Sequence, residues 1–348
     1  MDSKVKFGAV VGNPPYQGEN VGDKTSPPAI YNFFMEESYK IGSKVCLITP
    51  ARFLFNTGRT PKKWNRKMLS DQHLKVLSYE SESSKVFSNT TIKGGVVITY
   101  RDKDRILGPI STFTAYSELN TILKKTEYDD SDKLSDITYS QAIYKFTDTM
   151  HKEKPETLDI LSKGNESVVG TGVLNSLDKL IFWKNRPNDG NNYIKIAGLY
   201  EKARVYRWVR KEYINNPANL EKWKVLLPQA NGSGTLGEVL SSPIIGKPLV
   251  GHTQTFISIG AFNTKEEAQA CLKYIKTKFT RVLLGVLKAT QHNPPRTWSK
   301  IPLQDFTMNS DIDWTKSIAE IDQQLYKKYD LSQDEIDFIE NKIKEMER

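Results

Sequence analysis

The chain has 348 residues, enough for two ordinary domains, and 38% of these residues are hydrophobic. Its mean hydropathy is −0.52, and no apolar run approaches the roughly 20 residues of a membrane-spanning helix, which excludes an integral membrane protein of the helical class. The net charge is +9 and the isoelectric point is near 9.2, which favours a polyanionic partner.

The charge is unevenly distributed along the chain. Residues 179–224 contain eleven basic and four acidic residues, a net charge of +7, whereas residues 309–348 contain eleven acidic and six basic residues, a net charge of −5. The two cysteines, Cys46 and Cys271, lie inside apolar segments and are predicted to be reduced core residues of a cytoplasmic protein. The four histidines have no ligand spacing, so no metal site is expected.

The first predicted element is a buried strand at residues 7–11, an apolar run with β-branched residues. A glycine and two prolines end this strand abruptly. The sequence Asn13-Pro14-Pro15-Tyr16 is therefore predicted to form a rigid turn at the carboxyl end of a strand. Open α/β sheets bind their ligands at that edge.

The residue types of this turn suit chemistry on a nucleobase amino group. Such a nitrogen is a poor nucleophile because its lone pair is delocalised into the ring. The Asn13 side-chain oxygen and the Pro14 carbonyl can accept hydrogen bonds from its two N–H groups and free the lone pair. The prolines pre-aim these acceptors, and Tyr16 offers a flat face for an extruded base. The alternative is a proline-stiffened loop without chemistry.

The elements that follow predict a small α/β sheet. Residues 29–41 have apolar side chains at helical spacing, and residues 44–49 form a second buried strand stopped by a proline. Strand, helix and strand in this order imply a parallel crossover. A short helix at 61–69 and a strand at 74–79 come next. Ile92, a Gly-Gly break and residues 96–100 are predicted to form an antiparallel hairpin that ends the sheet.

Residues 10–16 resemble motif IV of the amino-methyltransferases that modify DNA, in the Asn form typical of adenine N6 enzymes. The chain resembles the large restriction–modification methylases of the Eco57I type, strongly over residues 1–105 and more loosely to the end. The resemblance implies an α/β fold: a partial Rossmann-like methyltransferase sheet (its second half), then a mixed α+β target-recognition domain and a C-terminal helical hairpin. It also implies S-adenosyl-L-methionine as methyl donor and double-stranded DNA as partner.

The resemblance implies further site residues. In the family, an aromatic residue before the hairpin stacks on the opposite face of the flipped adenine, and Phe87 is the candidate here. Phe53, after the second strand, is a candidate for the same pocket. For both residues the alternative is a position in the hydrophobic core.

The first half of such a sheet, with its glycine-rich cofactor turn, does not fit before the first strand. Two downstream stretches were considered as substitutes: Val168-Val169-Gly170-Thr171-Gly172 and Asn231-Gly232-Ser233-Gly234. The first lacks the third glycine and a strand-ending acid, and the second follows a proline and is typical of a loop. The cofactor-binding half is therefore expected from sequence outside this chain, such as a second polypeptide.

Residues 166–306 interleave aromatic and basic side chains. Arg204, Tyr206, Trp208 and Arg210 alternate as one face of a predicted strand, and Arg207 lies on the other. The position of this region resembles that of the family's target-recognition domain. Together with the composition, this resemblance implies the following DNA-binding residues: Arg204, Arg207, Trp208, Arg210 and Lys211. A solvated basic edge strand is the alternative.

Two helical regions complete the prediction. A capping box at Thr264 opens a helix that is predicted to reach about residue 290, and a second box at Ser332 opens the last helix. A second Asn-Pro-Pro sequence at Asn293 follows a helix and has Arg in place of Tyr, so it is predicted to be a loop that touches DNA at most.

The expected domains are a partial methyltransferase catalytic domain (1–105), a connecting helical region (106–165), a DNA target-recognition domain (166–306) and a helical hairpin (307–348). Three functions compete. The first is a site-specific DNA adenine N6-methyltransferase of the restriction–modification type, and the second is a catalytically inactive DNA-recognition subunit that needs a partner chain. The third is a transferase that methylates RNA or protein.

Overall fold

The computed structural model describes residues 7–19, 27–88, 91–127, 132–232, 234–288 and 290–346. The chain divides into two compact units, Met1–Asn120 and Thr121–Arg348. This division leaves the expected four-part arrangement as a prediction. Among the described residues, no helix has the length and apolar character needed to cross a membrane, and no group of three or more His, Cys, Asp or Glu side chains could hold a metal ion.

The first unit is built around one four-stranded sheet. Its elements are β1 (Phe7–Gly12), α1 (Tyr31–Ile41), β2 (Gly42–Pro50), α2 (Lys62–Leu69), β3 (Leu74–Glu80) and β4 (Val96–Asp102). The strand order is β1-β2-β4-β3, with β1 parallel to β2 and the remaining pairs antiparallel. The predicted strand, helix, strand crossover between parallel strands is confirmed.

The predicted hairpin at the end of the sheet differs in its first strand. Besides β2, the strand β4 pairs with β3, which is therefore the first strand of the hairpin. The chain between Glu80 and Val96 connects the two strands. Gly95 ends this connection at φ +77°, and a Cβ there would lie 2.2 Å from the Glu80 carbonyl oxygen. The Gly-Gly break is therefore the close approach that turns the chain into β4.

One face of this sheet is covered and the other is open. Val45 and Leu47 of β2 point to the side where Met35 of α1 and Met68 of α2 pack, and all four are buried. On the opposite side, Val11 is 78% exposed and Phe7 is 54% exposed. Both residues pair with β2. The strand β1 is thus an apolar edge strand, an arrangement that parallel sheets rarely leave uncovered.

The second unit contains two sheets and a helical layer. Its strands are β5 (Thr138–Tyr139), β6 (Tyr193–Tyr200), β7 (Ala203–Arg210), β8 (Trp223–Pro228), β9 (Ile244–Gly246), β10 (Val250–His252) and β11 (Phe256–Phe262). Its helices are α4 (Asp148–Glu153), α5 (Thr157–Ile160), α6 (Val173–Ser176), α7 (Lys265–Lys276), α8 (Lys278–Leu287), α9 (Ile318–Lys328) and α10 (Gln333–Lys342), and α3 (Ser117–Thr126) contains the division between units. The sheet orders are β10-β6-β7 and β5-β11-β8-β9, which agrees with the predicted mixed α+β character.

The helix predicted from Thr264 to about residue 290 is two helices. Thr264 caps α7 as expected, because its side chain accepts from the Glu267 N–H. The break is at Thr277, whose backbone is extended at ψ 150° and whose side chain caps α8. The buried Asp322 of α9 accepts hydrogen bonds from two N–H groups at the start of α8. Capping by side chains thus offsets the lost helical hydrogen bonds.

The two predicted C-terminal helices are confirmed. Ser317 and Ser332 each form a capping box with the glutamate three residues later. The two helices pack on α7 and α8, and the Tyr326 hydroxyl of α9 donates to Glu340 of α10 at 2.9 Å. These helices belong to the second unit.

A buried lysine gives the second unit a pH-dependent stability. Lys224 of β8 is fully buried, and its Nζ donates to the carbonyl oxygens of Val250, Lys247 and Leu220 at 2.9, 3.3 and 3.4 Å. No carboxylate pairs with it in the described part of the chain. Burial therefore lowers the pKa of Lys224 to about 7.

Above pH 7 the folded chain binds fewer protons at Lys224 than the unfolded chain does, so the free energy of unfolding rises with pH. We expect a rise of about 2 kcal/mol between pH 7 and 9, measured by denaturant unfolding, and its loss in Lys224→Met. Lys222→Met is the control, because Lys222 is exposed and its Nζ donates to the Asn263 side chain at 2.7 Å, and it should keep the rise. An equal rise in Lys224→Met would contradict this assignment.

Candidate functional site

The turn Asn13-Pro14-Pro15-Tyr16 lies at the carboxyl end of β1, as predicted. The strand ends at Gly12, which is in register with Leu47 of the parallel strand β2. Asn13 and Pro15 are exposed, and Pro14 and Tyr16 are half-buried. The turn is thus at the ligand-binding edge of an α/β sheet and open to solvent.

The backbone after the turn is held by the segment that leads into α1. The Tyr16 carbonyl accepts from the Ile30 N–H at 3.1 Å, and the Gly18 N–H donates to the Pro28 carbonyl at 3.0 Å. Within the described ranges, no hydrogen bond occupies the Asn13 side chain or the Pro14 carbonyl. Both acceptors are therefore available to a ligand, on a backbone stiffened by two prolines.

Tyr16 and Phe87 are brought together although they are far apart in the sequence. Their ring centroids are 6.4 Å apart, with an interplanar angle of 66°. Phe87 is half-buried in the connection between β3 and β4, where its N–H donates to the Ser83 carbonyl at 2.8 Å. The fold thus places two aromatic rings beside the Asn13 turn, one of them on the turn itself.

Tyr16 is suited to stacking and unsuited to proton transfer. Its hydroxyl is buried and has no hydrogen-bond partner among the described residues, and burial raises the pKa of Tyr16 above its ordinary value. The site therefore offers two hydrogen-bond acceptors and two rings, which are the groups that bind an amino-substituted heterocycle.

Phe53 does not lie at this site. It is 0% exposed and packs in the core, 5.4 Å from the Trp64 ring and 6.4 Å from the Tyr31 ring between centroids. Its position corresponds to the core alternative, because an aromatic ring that follows a buried strand is readily drawn into the helix–sheet interface. The expectation that it lines the pocket does not fit this placement.

One of the two glycine-containing stretches that are candidates for a cofactor turn is occupied by the chain itself. The Glu238 carboxylate lies against Gly232 and Gly234. A Cβ at Gly232 would lie 2.1 Å from this carboxylate, and the Gly234 N–H donates to it at 3.0 Å. Ser233 lies outside the described residues. Gly170 and Gly172 precede α6, a helix of four residues. Neither stretch fits a phosphate- or nucleoside-binding turn.

The strand predicted around Arg204 to Arg210 is present as β7, and its alternation of faces is as predicted. Because β7 pairs with β6 in continuous antiparallel register, Arg204, Tyr206, Trp208 and Arg210 share one face. Arg207 lies on the other face, is 9% exposed and stacks 4.3 Å above the Tyr200 ring. That face packs into the core, so Arg207 is not presented to a ligand.

The other expected DNA-binding cations have intramolecular partners as well. Arg210 pairs with Glu153 and Glu212, both at 2.5 Å, and Lys211 pairs with Glu221 at 2.5 Å. Arg204 lies 5.1 Å above the Phe256 ring and donates to the Ser242 carbonyl at 3.1 Å. These contacts neutralise or immobilise the side chains of Arg204, Arg210 and Lys211, which the sequence predicted to bind DNA. Among the residues that the structure describes, Lys184, Arg186 and Lys195, which the sequence did not predict to bind DNA, are basic residues of the same segment without a carboxylate partner.

The second Asn-Pro-Pro sequence is structural. Asn293 is fully buried, and its Nδ2 donates to the Pro228 carbonyl at the end of β8 at 3.2 Å. Pro295 begins a short 3-10 turn, Pro295–Trp298. The side chain of Asn293 is therefore closed to DNA, unlike the exposed side chain of Asn13.

Comparisons with known proteins give one family and two similar structures. Residues 1–87 match the family model described as Eco57I restriction-modification methylase. No curated protein matches the chain. The type IIG restriction endonuclease BpuSI is similar at 12% identity and a TM-score of 0.33, over 97% of this chain and 54% of that one. The type IIL restriction-modification enzyme MmeI, solved in complex with DNA, is similar at 10% identity and a TM-score of 0.31, over 98% and 57%. The chain spans slightly more than half the length of both.

Proposed function

We propose, from the match of residues 1–87 to the Eco57I restriction-modification methylases, that this chain is the base-binding and DNA-recognition part of a DNA adenine N6-methyltransferase. The observation that carries the proposal is the exposed Asn13 turn directly after β1, with the Tyr16 ring 6.4 Å from the Phe87 ring. Acceptors and rings in this arrangement match the two features of an adenine that matter for transfer, its amino group and its flat faces.

The proposed roles follow from the chemistry of each group. Asn13 Oδ1 and the Pro14 carbonyl accept the two N–H bonds of the adenine N6 amino group, which pulls the nitrogen toward a tetrahedral shape and raises its nucleophilicity. Pro14 and Pro15 hold both acceptors in place before the base arrives. Tyr16 and Phe87 hold the extruded ring by stacking, so positioning supplies most of the rate enhancement and no general base is needed.

S-adenosyl-L-methionine, when bound, would supply an electrophilic methyl group to this nitrogen. The described residues offer no turn that fits it, since Glu238 fills the stretch with Gly232 and Gly234, and the stretch with Gly170 and Gly172 leads into a helix of only four residues. We propose that the cofactor-binding half is carried by a second polypeptide that pairs with β1. The apolar, exposed edge of β1, with Val11 78% exposed, supports this proposal.

An inactive DNA-recognition subunit is the second candidate. The lack of a fitting cofactor turn among the described residues favours it, whereas the free acceptors of the Asn13 turn favour the enzyme. Methyl transfer to RNA or to protein is the third candidate. The three candidates differ in what the chain does when it is combined with a cofactor-binding half.

The test has two parts. Labelled S-adenosyl-L-methionine is first titrated onto the chain alone, where we expect no saturable binding in the micromolar range. Transfer of the label is then measured with a cofactor-binding half added, to duplex DNA, RNA and protein in parallel. Label on the N6 position of adenine in duplex DNA is the expected result. Binding by the chain alone would reveal a cofactor site in this chain, and DNA binding without transfer would favour the inactive subunit.

A further inference from the structure

Trp208 of β7 is flanked by two cations. The Lys195 Nζ lies 4.6 Å from the centre of its ring, and the Arg186 Cζ lies 5.8 Å from it. Lys195 is the cross-strand partner of Trp208 in the β6–β7 register. Cations at these distances interact favourably with an indole face and are held near it.

Backbone hydrogen bonds hold the segment that carries Arg186 beside β7. The Trp183 N–H donates to the Trp208 carbonyl at 2.9 Å, and the Trp208 N–H donates to the Trp183 carbonyl at 2.8 Å. Arg186 follows Trp183 closely in the chain, so this pairing brings it beside β7. Lys184 is adjacent to Trp183 and is exposed, as is Arg186. We call Lys184, Arg186, Lys195 and Trp208 the indole–cation surface.

The charges of this surface are uncompensated. Across the described ranges, none of its three cations has a carboxylate within ion-pair distance, whereas the neighbouring Arg207, Arg210 and Lys211 each do. Like charges gathered on one ring repel each other, and the repulsion is relieved when an anion binds between or beside them. The surface is therefore complementary to a polyanion.

The backbone that carries this surface is the β6–β7 hairpin of the three-stranded sheet β10-β6-β7. The strands β6 and β7 pair without interruption from Tyr193 to Arg210 and are joined by Glu201 and Lys202, both at positive φ. Such a tight two-residue turn keeps the hairpin regular. The opposite face of the hairpin packs into the core through Ile194, Ile196 and Val209, so the face with Lys195 and Trp208 is the one that a phosphate backbone can approach.

We propose that the indole–cation surface binds the phosphate backbone of duplex DNA, with Arg186 and Lys195 each contacting a phosphate and Trp208 holding both cations in place. The inference rests on the proposed function only in taking DNA as the partner. It moves the phosphate contacts from Arg207 and Arg210, which pair internally, to residues that the sequence pattern did not single out.

The test is the salt dependence of DNA binding by the full chain. Fluorescence anisotropy with a labelled duplex is measured between 50 and 200 mM salt for the wild type and for the Arg186→Ala, Lys195→Ala double variant. Each lost phosphate contact reduces the slope of log K against log salt by about 0.9, so we expect a reduction near 2 and an affinity loss of about tenfold or more at low salt. An unchanged slope would overturn the proposal.

Two further pairs separate a specific contact from a general charge effect. Lys327→Ala with Lys344→Ala removes two exposed positive charges from the acidic C-terminal segment and should leave the slope unchanged. Arg186→Lys with Lys195→Arg keeps both charges and should keep the slope; if the alanine pair lowers the melting temperature, Arg186→Gln with Lys195→Gln takes its place. A slope that falls equally in the Lys327, Lys344 control would overturn the proposal.

The outcome is separable from that of the proposed function. A reduced slope in the double variant together with no methyl transfer would retain the surface and reject the enzyme. Methyl transfer with an unchanged slope would do the reverse. Tight binding to single-stranded RNA in place of duplex DNA would overturn the assignment of the partner.

Discussion

Asn13→Ala is expected to lower the turnover number for methyl transfer by about 10²- to 10³-fold while leaving the affinity for duplex DNA unchanged. The side chain is exposed and makes no hydrogen bond within the described residues, so its removal costs little stability. It does remove one of two pre-aimed acceptors, and the loss of one such group in an enzyme site has effects of this size. Turnover is measured by labelled methyl transfer with the cofactor-binding half present, and affinity is measured by anisotropy.

Two variants make the Asn13 result specific. Asn13→Asp keeps an acceptor oxygen at the same position and should retain more activity than Asn13→Ala. Asn165→Ala removes an exposed amide in the second unit and should behave as the wild type. If Asn13→Ala still transfers methyl groups at the wild-type rate, the turn has no role in activating the amino group.

Phe87→Ala is expected to weaken capture of the extruded base by about 10- to 100-fold. Stacking of a base on an aromatic side chain contributes about 1–3 kcal/mol, and the Phe87 ring lies beside Tyr16 in an edge-type contact with a centroid distance of 6.4 Å. A duplex with 2-aminopurine at the target position reports the capture, because this fluorophore brightens when it leaves the stack. A lower amplitude at equal DNA occupancy is the expected signal.

The matched control is Phe33→Ala. Phe33 is a phenylalanine of α1 in the same unit that is 59% exposed, so the variant loses an equal ring at an exposed position. It should leave the 2-aminopurine signal unchanged. Equal signals from the wild type and Phe87→Ala would show that Tyr16 holds the base without a second ring.

The elements of the first unit could be predicted because their signals are local. The apolar runs of β1 and β2, the helical spacing of α1, and the proline and glycine residues that end these elements act through the backbone of a few neighbouring residues. The same holds for the capping boxes at Ser317 and Ser332. The sequence did not predict the break at Thr277. A threonine inside a long apolar pattern cannot be identified as a helix cap without the buried Asp322, which accepts hydrogen bonds from the start of α8.

The candidate site could be predicted only in part. The Asn13 turn is a local motif, and the match of residues 1–87 to the Eco57I restriction-modification methylases agrees with the resemblance drawn from it. For Arg207 a signal was present in the pattern. Val205 and Val209 share its face of β7, and an arginine between two apolar residues is drawn into the core with them. The positive charge of Arg207 favoured a DNA contact in the prediction, whereas the apolar residues on its face favoured burial.

The sequence by itself determined where the rigid turn lies, which residues it presents and where most helices and strands begin and end, because proline, glycine and apolar spacing restrict the chain locally. Only the tertiary structure decided that Phe87 meets Tyr16, that Phe53 is buried, and that Arg207 is buried whereas Arg186 is exposed and Lys195 is half-buried. Those outcomes depend on which distant segments pack together. Packing is a property of the whole core and is not encoded in any short stretch of the chain.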